Sequence, residues 1–589
     1  MQRRTQPEYT QPEYTQPSTL SALWLRKVPA LFLLTIALFT AGPVVHAAEL
    51  SSRSIVTSIL RGDSLESDRV REIVNSAESD SWNAHQCLEI GEAFEQTRQW
   101  VNAIRLYEAA LKSHEEDAHL TYALRRTRVH FGIDRRYTDE SFSNGMLLSG
   151  RSESLDLMED VMRRVQVEYV DRVSSTHFVA HGTESLYMAL GNERFLKSHN
   201  IRKHQKDATK KVRDMLVKSY WNRRVSNRID ARMVVAEVCD LCRRELNLPA
   251  SAVVMEYLFG GCNALDDYSN FLTPSRYEEL FGSIHGEFVG IGIEMEGEKG
   301  KGMHLVNVLL DSPAEAGGLR PGDYIIEVDG TDCRGMTSDE AAQLLRGPRG
   351  SVVSLVFQSP DGSKSRAKLT RRAVQVRSIT RKLILDADRG IGYIRMEGFQ
   401  NSTTDELDRA LRELENQGMK SLVWDLRDNP GGLLETAAAV IDRFIDNGVL
   451  VSTEGRSRDQ NQIFHARSSN TRNIPLVLLV NENSASASEI VAGAINDHKR
   501  GQIVGRRTYG KWSVQSIIHL PGGTGLKLTT AKFFSPDHRN YAGRGINPHV
   551  AVPEVRRTYF RGRTSDEIKT DPDVEQAVEI LKKQIARRS

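Results

Sequence analysis

Near Gly286 the hydrophobic pattern of the chain changes period, and no single layer of packing suits both sides of that change. Upstream, Leu155 to Leu190 and Met233 to Leu265 carry apolar residues at helical spacing. Downstream, short alternating stretches such as Phe288-Val289-Gly290-Ile291-Gly292-Ile293 and His304 to Leu310 are divided by glycine turns. A chain of 589 residues is too long for one hydrophobic core, so the change is read as a domain boundary. Further on, strands at Ile391 to Arg395, Ser421 to Leu426 and Pro475 to Val480 alternate with helices at Thr404 to Gln417 and Leu433 to Ile445. That alternation predicts an α/β unit whose chemistry lies on loops at the C-terminal ends of its strands.

Lys and Arg number 79 against 77 Asp and Glu, so the net charge of +2 offers no global attraction for nucleic acid. Five cysteines do not make a disulfide framework in so long a chain, and the lone Cys239-Asp240-Leu241-Cys242 has no second pair and reads as buried thiols on a helix. Residues 1–48 read as targeting: Arg26 and Lys27 precede an apolar run from Val28 to Ala41, and Val45-His46-Ala47 offers small residues for cleavage. The run is short for a bilayer span, which favours a cleaved signal over a retained anchor and predicts export. Upstream of it, Thr5 to Tyr9 repeats at Thr10 to Tyr14, a polar stretch with no means of packing a core.

Between Ala84 and Asp117, Ile90, Gly91, Phe94, Trp100, Ala103, Tyr107 and Ala110 fall where two closely packed antiparallel helices need them. The run resembles one tetratricopeptide repeat, with Glu115 where that family usually carries proline, and Leu120 to Phe131 is read as a third helix. One repeat cannot bury its own face, so a plain helical pair and a partner-binding module are both open. A basic insertion from about Arg194 to Arg232 is either a solvated face or a contact for an anionic surface. From about Gly286 to Thr370, the segment Ser312 to Asp323, the strand Tyr324 to Val328, the Asp329-Gly330 turn and the helix Ser338 to Leu345 together resemble a PDZ domain. The resemblance implies that Phe288, Val289, Gly290, Ile291, Gly292 and Ile293 form the loop that holds a terminal carboxylate while the peptide adds as a strand.

The second α/β strand runs into Asp425-Leu426-Arg427-Asp428-Asn429-Pro430-Gly431-Gly432, and the third into Asn481-Glu482-Asn483-Ser484-Ala485-Ser486-Ala487-Ser488-Glu489. A serine at the start of a helix sits beside free backbone N–H groups that can stabilise an oxyanion. Ser486-Ala487-Ser488-Glu489 also matches a capping box, in which the hydroxyl merely closes a helix end. A third segment, Gly505 to Gln515, brings a glycine-flanked Lys511 just before a strand, where burial makes an amine a base. With these segments the region from about Ala264 to Leu581 resembles the carboxyl-terminal processing peptidases, also called tail-specific proteases. The resemblance implies a crotonase-like core with Ser486 as nucleophile, Lys511 as general base, Gln515 orienting the lysine, and Gly432 and Ala487 supplying oxyanion N–H groups. Leu265-Asp266-Asp267-Tyr268-Ser269 and Gly543-Arg544-Gly545-Ile546-Asn547-Pro548 match it further. Two positions depart: His549 replaces an aspartate, and Trp512 replaces the glycine after the lysine. An indole there either strains the loop or lies over the lysine and excludes water.

His498, His519 and His538 with Asp497 make a poor alternative triad, because His498 falls about 18 Å from Ser486 on one helix at 1.5 Å per residue. The expected fold is multidomain α+β: a leader at 1–48, a tetratricopeptide-like helical region at 49–150, a helical region with the basic insertion at 151–285, a PDZ domain at 286–370 and a protease core with its tail at 371–589. The expected function is that of an exported, periplasmic or otherwise extracytoplasmic, serine endopeptidase that needs no metal or cofactor. Its expected partners are protein substrates with apolar, unstructured C-termini, and a protein docked on the repeat-like region. Membrane contact and homo-oligomerisation stay open, and no nucleic acid is expected. The rival reading is an inactive scaffold whose PDZ and repeat-like regions bind partners and whose site Trp512 has spoiled.

Overall fold

The computed structural model describes residues 52–588 except 63–66, 80, 203–204, 299, 310, 337, 468–470 and 554–563. The leader and its signal-like run lie outside the described residues. Among the described residues no helix is long and apolar enough to cross a membrane. Contacts divide the chain into two units, one holding residues up to 163 with 173–271, the other 164–172 with 272–589.

The first unit is helical. Asn83 and Gln86 close a capping box on the helix Ala84–Gln96, which packs against Trp100–Ser113 and, beyond the Asp117 cap, Ala118–Arg136. Gly91 lets the first two helices approach, since a Cβ there would lie 2.2 Å from the Tyr107 ring. The expected helical stretch from Leu155 to Leu190 is broken: one helix ends at Glu168, and Ser174 caps the next, Ser175–Ala189, by accepting the His177 N–H at 3.1 Å. In the basic insertion Lys210 pairs with Asp214, Lys211 with Glu245 and Arg232 with Asp156, as a solvated, ion-paired face would.

In the second unit the sheet of the PDZ-like segment runs Ile293–Glu298, Gly302–Val308, Tyr324–Val328, Val352–Gln358, Lys364–Thr370, with the helix Ser338–Leu345 beside it. Ile293–Glu298 is an edge strand.

The core sheet places Ile379–Asp386 antiparallel to Ile391–Met396. Ser421–Asp425, Leu476–Val480, Gln502–Gly505 and Val550–Ala551 then follow in parallel. The three central strands, Ile391–Met396, Ser421–Asp425 and Leu476–Val480, are buried on both faces, which is why they read as mainly apolar runs. Leu422, Trp424, Leu478 and Val480 face one cluster with the helices Thr403–Asn416, Leu434–Ile441 and Ala487–Asp497. Val423, Val477 and Leu479 face the other, with Val574, Ala577 and Leu581 of the C-terminal helix Pro572–Arg588. A further antiparallel run, Ser513–His519, Gly525–Phe534, Val449–Gly455 and Gln462–His465, carries the residues that follow Lys511.

Candidate active site

Two parallel neighbours, Ser421–Asp425 and Leu476–Val480, end at the same edge, so the loops after them meet. Asn481 accepts the Asp428 N–H at 2.9 Å, and its amide donates back to the Asp428 carboxylate at 2.7 Å. Asn429 does more: its carbonyl accepts from Ala485 N–H (3.0 Å) and the Ser488 hydroxyl (2.9 Å), while its side chain accepts from Gly431 N–H (2.9 Å). The glycine loop therefore lies against the serine segment. A Cβ on Gly431 would sit 2.8 Å from the Ala485 carbonyl and from Ser486 Cβ, and φ there is 103°, so only glycine serves. Gly432 bridges to Phe399, and among the described residues neither its N–H nor that of Ala487 bonds a backbone acceptor.

Ser486 stands immediately before the helix Ala487–Asp497 with φ 55° and ψ −113°. Its hydroxyl makes no cap hydrogen bond. The Glu489 N–H goes instead to the Ser486 carbonyl at 2.8 Å. Glu489 takes the part that the capping pattern in the sequence suggests, since its Oε2 accepts the Ser486 N–H at 3.0 Å.

Glu489 also reaches the third segment. The same Oε2 accepts the Lys511 N–H at 2.7 Å, and Oε1 accepts the Thr508 hydroxyl and the Gly510 N–H, both at 2.7 Å. The carboxyl is fully buried. Burial lifts its pKa above the ordinary value, and the bonds from Thr508, Gly510, Ser486 and Lys511 pull it back. Gly510, at φ 95°, passes close to the main chain of Gly543-Arg544-Gly545 and accepts the Gly543 N–H at 2.9 Å. Thr508 receives the Ile546 N–H on its hydroxyl at 2.7 Å, so the segment Gly543 to Pro548 braces the lysine loop.

Lys511 is half-buried. On the following strand, Gln515 donates through its amide nitrogen to the Ser513 hydroxyl (2.8 Å) and the Thr529 hydroxyl (3.3 Å). Trp512 has no positive φ, and its indole lies 1% exposed in the core against Phe533 and Tyr541, with centroids 4.6 and 4.9 Å away. The expected indole cover over the lysine is replaced by an indole that fills space beneath Gly493 of the serine helix. At the other departing position, His549 Nδ1 accepts the Ile503 N–H at 2.9 Å, a task an aspartate oxygen performs equally well. His498 caps the far end of the serine helix and bonds the Val449 carbonyl, His538 faces Glu454, and His519 lies against Tyr277. The three histidines are thus engaged on separate elements.

In the PDZ region, Phe288, Val289 and Gly290 belong to a short strand paired with Arg372–Gln375, and Ile293 begins the edge strand. Between them the Ile291 carbonyl accepts the Ala314 N–H at 2.8 Å and the Gly292 carbonyl the Leu309 N–H at 2.9 Å. The sequence reading overlooked Glu489, Asn429 and Thr508 as organisers of the site. Their partners lie on other loops, and only the serine-to-glutamate spacing hinted at one contact.

The family description "Peptidase family S41" matches residues 390–552, and "PDZ domain" matches residues 305–359. A carboxy-terminal-processing protease of Bartonella bacilliformis is 35% identical over 305 residues, which is 51% of this chain and 69% of the relative. A carboxyl-terminal-processing protease of Picosynechococcus is 36% identical over 291 residues, 49% of this chain and 70% of the relative. A solved structure of a photosystem II D1 C-terminal processing protease is 29% identical and covers 68% of this chain and 93% of its own, with a TM-score of 0.36. By the family match and the two curated relatives, the chain belongs to peptidase family S41, the serine peptidases that include the carboxyl-terminal-processing proteases.

Proposed function

We propose that the chain is an exported serine endopeptidase that uses Ser486 and Lys511 as nucleophile and base and selects proteins by their C-terminal tails. The observation that carries this reading is the shared acceptor Glu489 Oε2, which takes the main-chain N–H of both Ser486 and Lys511 and so makes the two segments neighbours across one oxygen atom. Neutral Lys511 takes the Ser486 proton as Oγ attacks the scissile carbonyl, and the N–H groups of Gly432 and Ala487 hold the oxyanion. The proton passes to the leaving amine. Water, deprotonated by the same lysine, then releases the acyl group. Gln515, anchored at its nitrogen, keeps its carbonyl oxygen as an acceptor for the lysine amine.

Tail selection rests on the edge strand Ile293–Glu298 and the loop Phe288 to Ile293, which suit an added peptide strand and its terminal carboxylate. We take 286–370 as the PDZ domain and 371–589 as a crotonase-like protease core, with the hairpin at Ala84–Ser113 as a tetratricopeptide-like docking module. The test is incubation of purified chain with an unfolded, apolar-tailed polypeptide beside Ser486→Ala and Lys511→Ala. The parent is expected to cleave it. Each variant is expected to be inactive with an unchanged melting profile, and the double variant no worse than either. Turnover by either single variant removes the assignment.

A further inference from the structure

The helical unit carries a titratable cluster that peptide hydrolysis does not use. On the helix Ser175–Ala189, His177 and His181 lie one turn apart on one face, with their Nε2 atoms 3.1 Å apart and ring centroids 4.8 Å apart. His181 is buried and His177 only partly so, which leaves His177 as the ring of the pair nearer solvent. Behind it, His181 Nδ1 lies 3.5 Å from Glu184 Oε2, and the other oxygen of Glu184 pairs with Arg125 at 2.9 Å.

These distances have a plain reading, a neutral N–H···N hydrogen bond, and a second one. Two imidazole nitrogens bound to one zinc-class ion at about 2.0–2.1 Å are themselves about 2.8–3.4 Å apart, for ligand angles between a right angle and the tetrahedral one. The observed separation falls in that range. A carboxylate beside the far nitrogen of a ligating histidine favours the Nδ1–H tautomer and leaves the Nε2 lone pair for the ion.

We propose that His177 and His181 form a binding site for one divalent transition ion of the zinc class, with Glu184 orienting His181 and water filling the remaining positions. In the metal-free chain one Nε2 carries the hydrogen shared between the rings. Binding moves that hydrogen to Nδ1 of the same ring, so no net proton is lost and no oxidant is needed. The ion clips successive turns of a helix that packs against Ala250–Cys262, where Gly182 and Gly260 allow close approach, and so stabilises the helical unit.

The test is calorimetric titration of the untagged full chain at neutral pH with Zn²⁺ alone, beside His177→Gln and His181→Gln. The parent is expected to bind one equivalent, and either variant at least about 10-fold more weakly. Co²⁺ is expected to give a visible ligand-field spectrum with the parent and none with the variants. Since His181 is buried, circular dichroism checks that its variant folds, and the less buried His177→Gln decides the matter if it does not. Equal zinc affinity in the parent and His177→Gln, or no binding at sub-millimolar zinc, overturns the site.

Discussion

Ser486 occupies a backbone region that residues with a Cβ avoid, at a cost of about 1–3 kcal/mol that the surrounding bonds must offset. Ser486→Gly is therefore expected to be inactive yet more stable than the parent by about 1 kcal/mol, whereas Ser486→Ala is inactive with unchanged stability. Urea melts of the three proteins check this, and a destabilised glycine variant contradicts it. Trp512 invites the opposite expectation. Its indole is packed among Phe533, Tyr541 and the serine helix, so Trp512→Gly leaves a cavity and costs about 3–5 kcal/mol. Activity is expected to fall with it, and a gain in turnover by a stable Trp512→Gly protein would mean that the indole obstructs the site.

The site is made where elements end. The glycine loop and the serine segment meet because two parallel strands stop side by side, and the lysine loop joins them through the buried Glu489 carboxylate. On the tail-binding proposal the PDZ sheet behaves in the same manner, since Ile293–Glu298 lies at a sheet edge, where an added strand would pair. On the same proposal, an amidated substrate lacks the charge that the loop amides would hold. Its kcat/KM is expected to drop about 10-fold or more, mainly through KM, against the free acid of the same sequence. Equal rates for the two peptides would leave the PDZ domain without a carboxylate-binding role.

Across the second unit, one buried cation ties distant parts of the chain together. Arg427, just ahead of the glycine loop, bonds Asp425 at 2.9 and 2.6 Å, Asp571 at 2.9 Å and Asp573 at 2.7 Å, and Asp573 also binds Arg506 of the lysine loop. The C-terminal helix thereby anchors two of the three site segments. Burial alone would raise the Asp425 pKa, but Arg427 and Arg395 outweigh it and hold the carboxyl well below its ordinary value of 3.8. A depressed acid contributes stability that is fully present above pH 3.8 and is lost as pH falls toward the folded pKa. Asp573→Asn is expected to cost about 3 kcal/mol, and Asp425→Asn to remove most of the acid-dependent loss as well. Urea melts above and below that pH check both, and an unchanged acid slope in Asp425→Asn would place the acid lability elsewhere.

By itself the sequence determined the helical first part, the PDZ-like run with its strand Tyr324–Val328 and helix Ser338–Leu345, and the alternation of strands and helices in the core. Each is written in local periodicity and turn residues. It also singled out Ser486, Lys511 and the glycine pair, because these occupy short motifs with recognisable spacing. Only the tertiary structure decided what binds them together. Glu489 meets Lys511, Asn429 meets Ala485, and Arg427 meets Asp573 across separations that no window of sequence spans. It decided Trp512 too, since an indole after a lysine can cover the site or fill the core. The space beneath Gly493, bounded by Phe533 and Tyr541, drew it into the core, where its apolar surface leaves water.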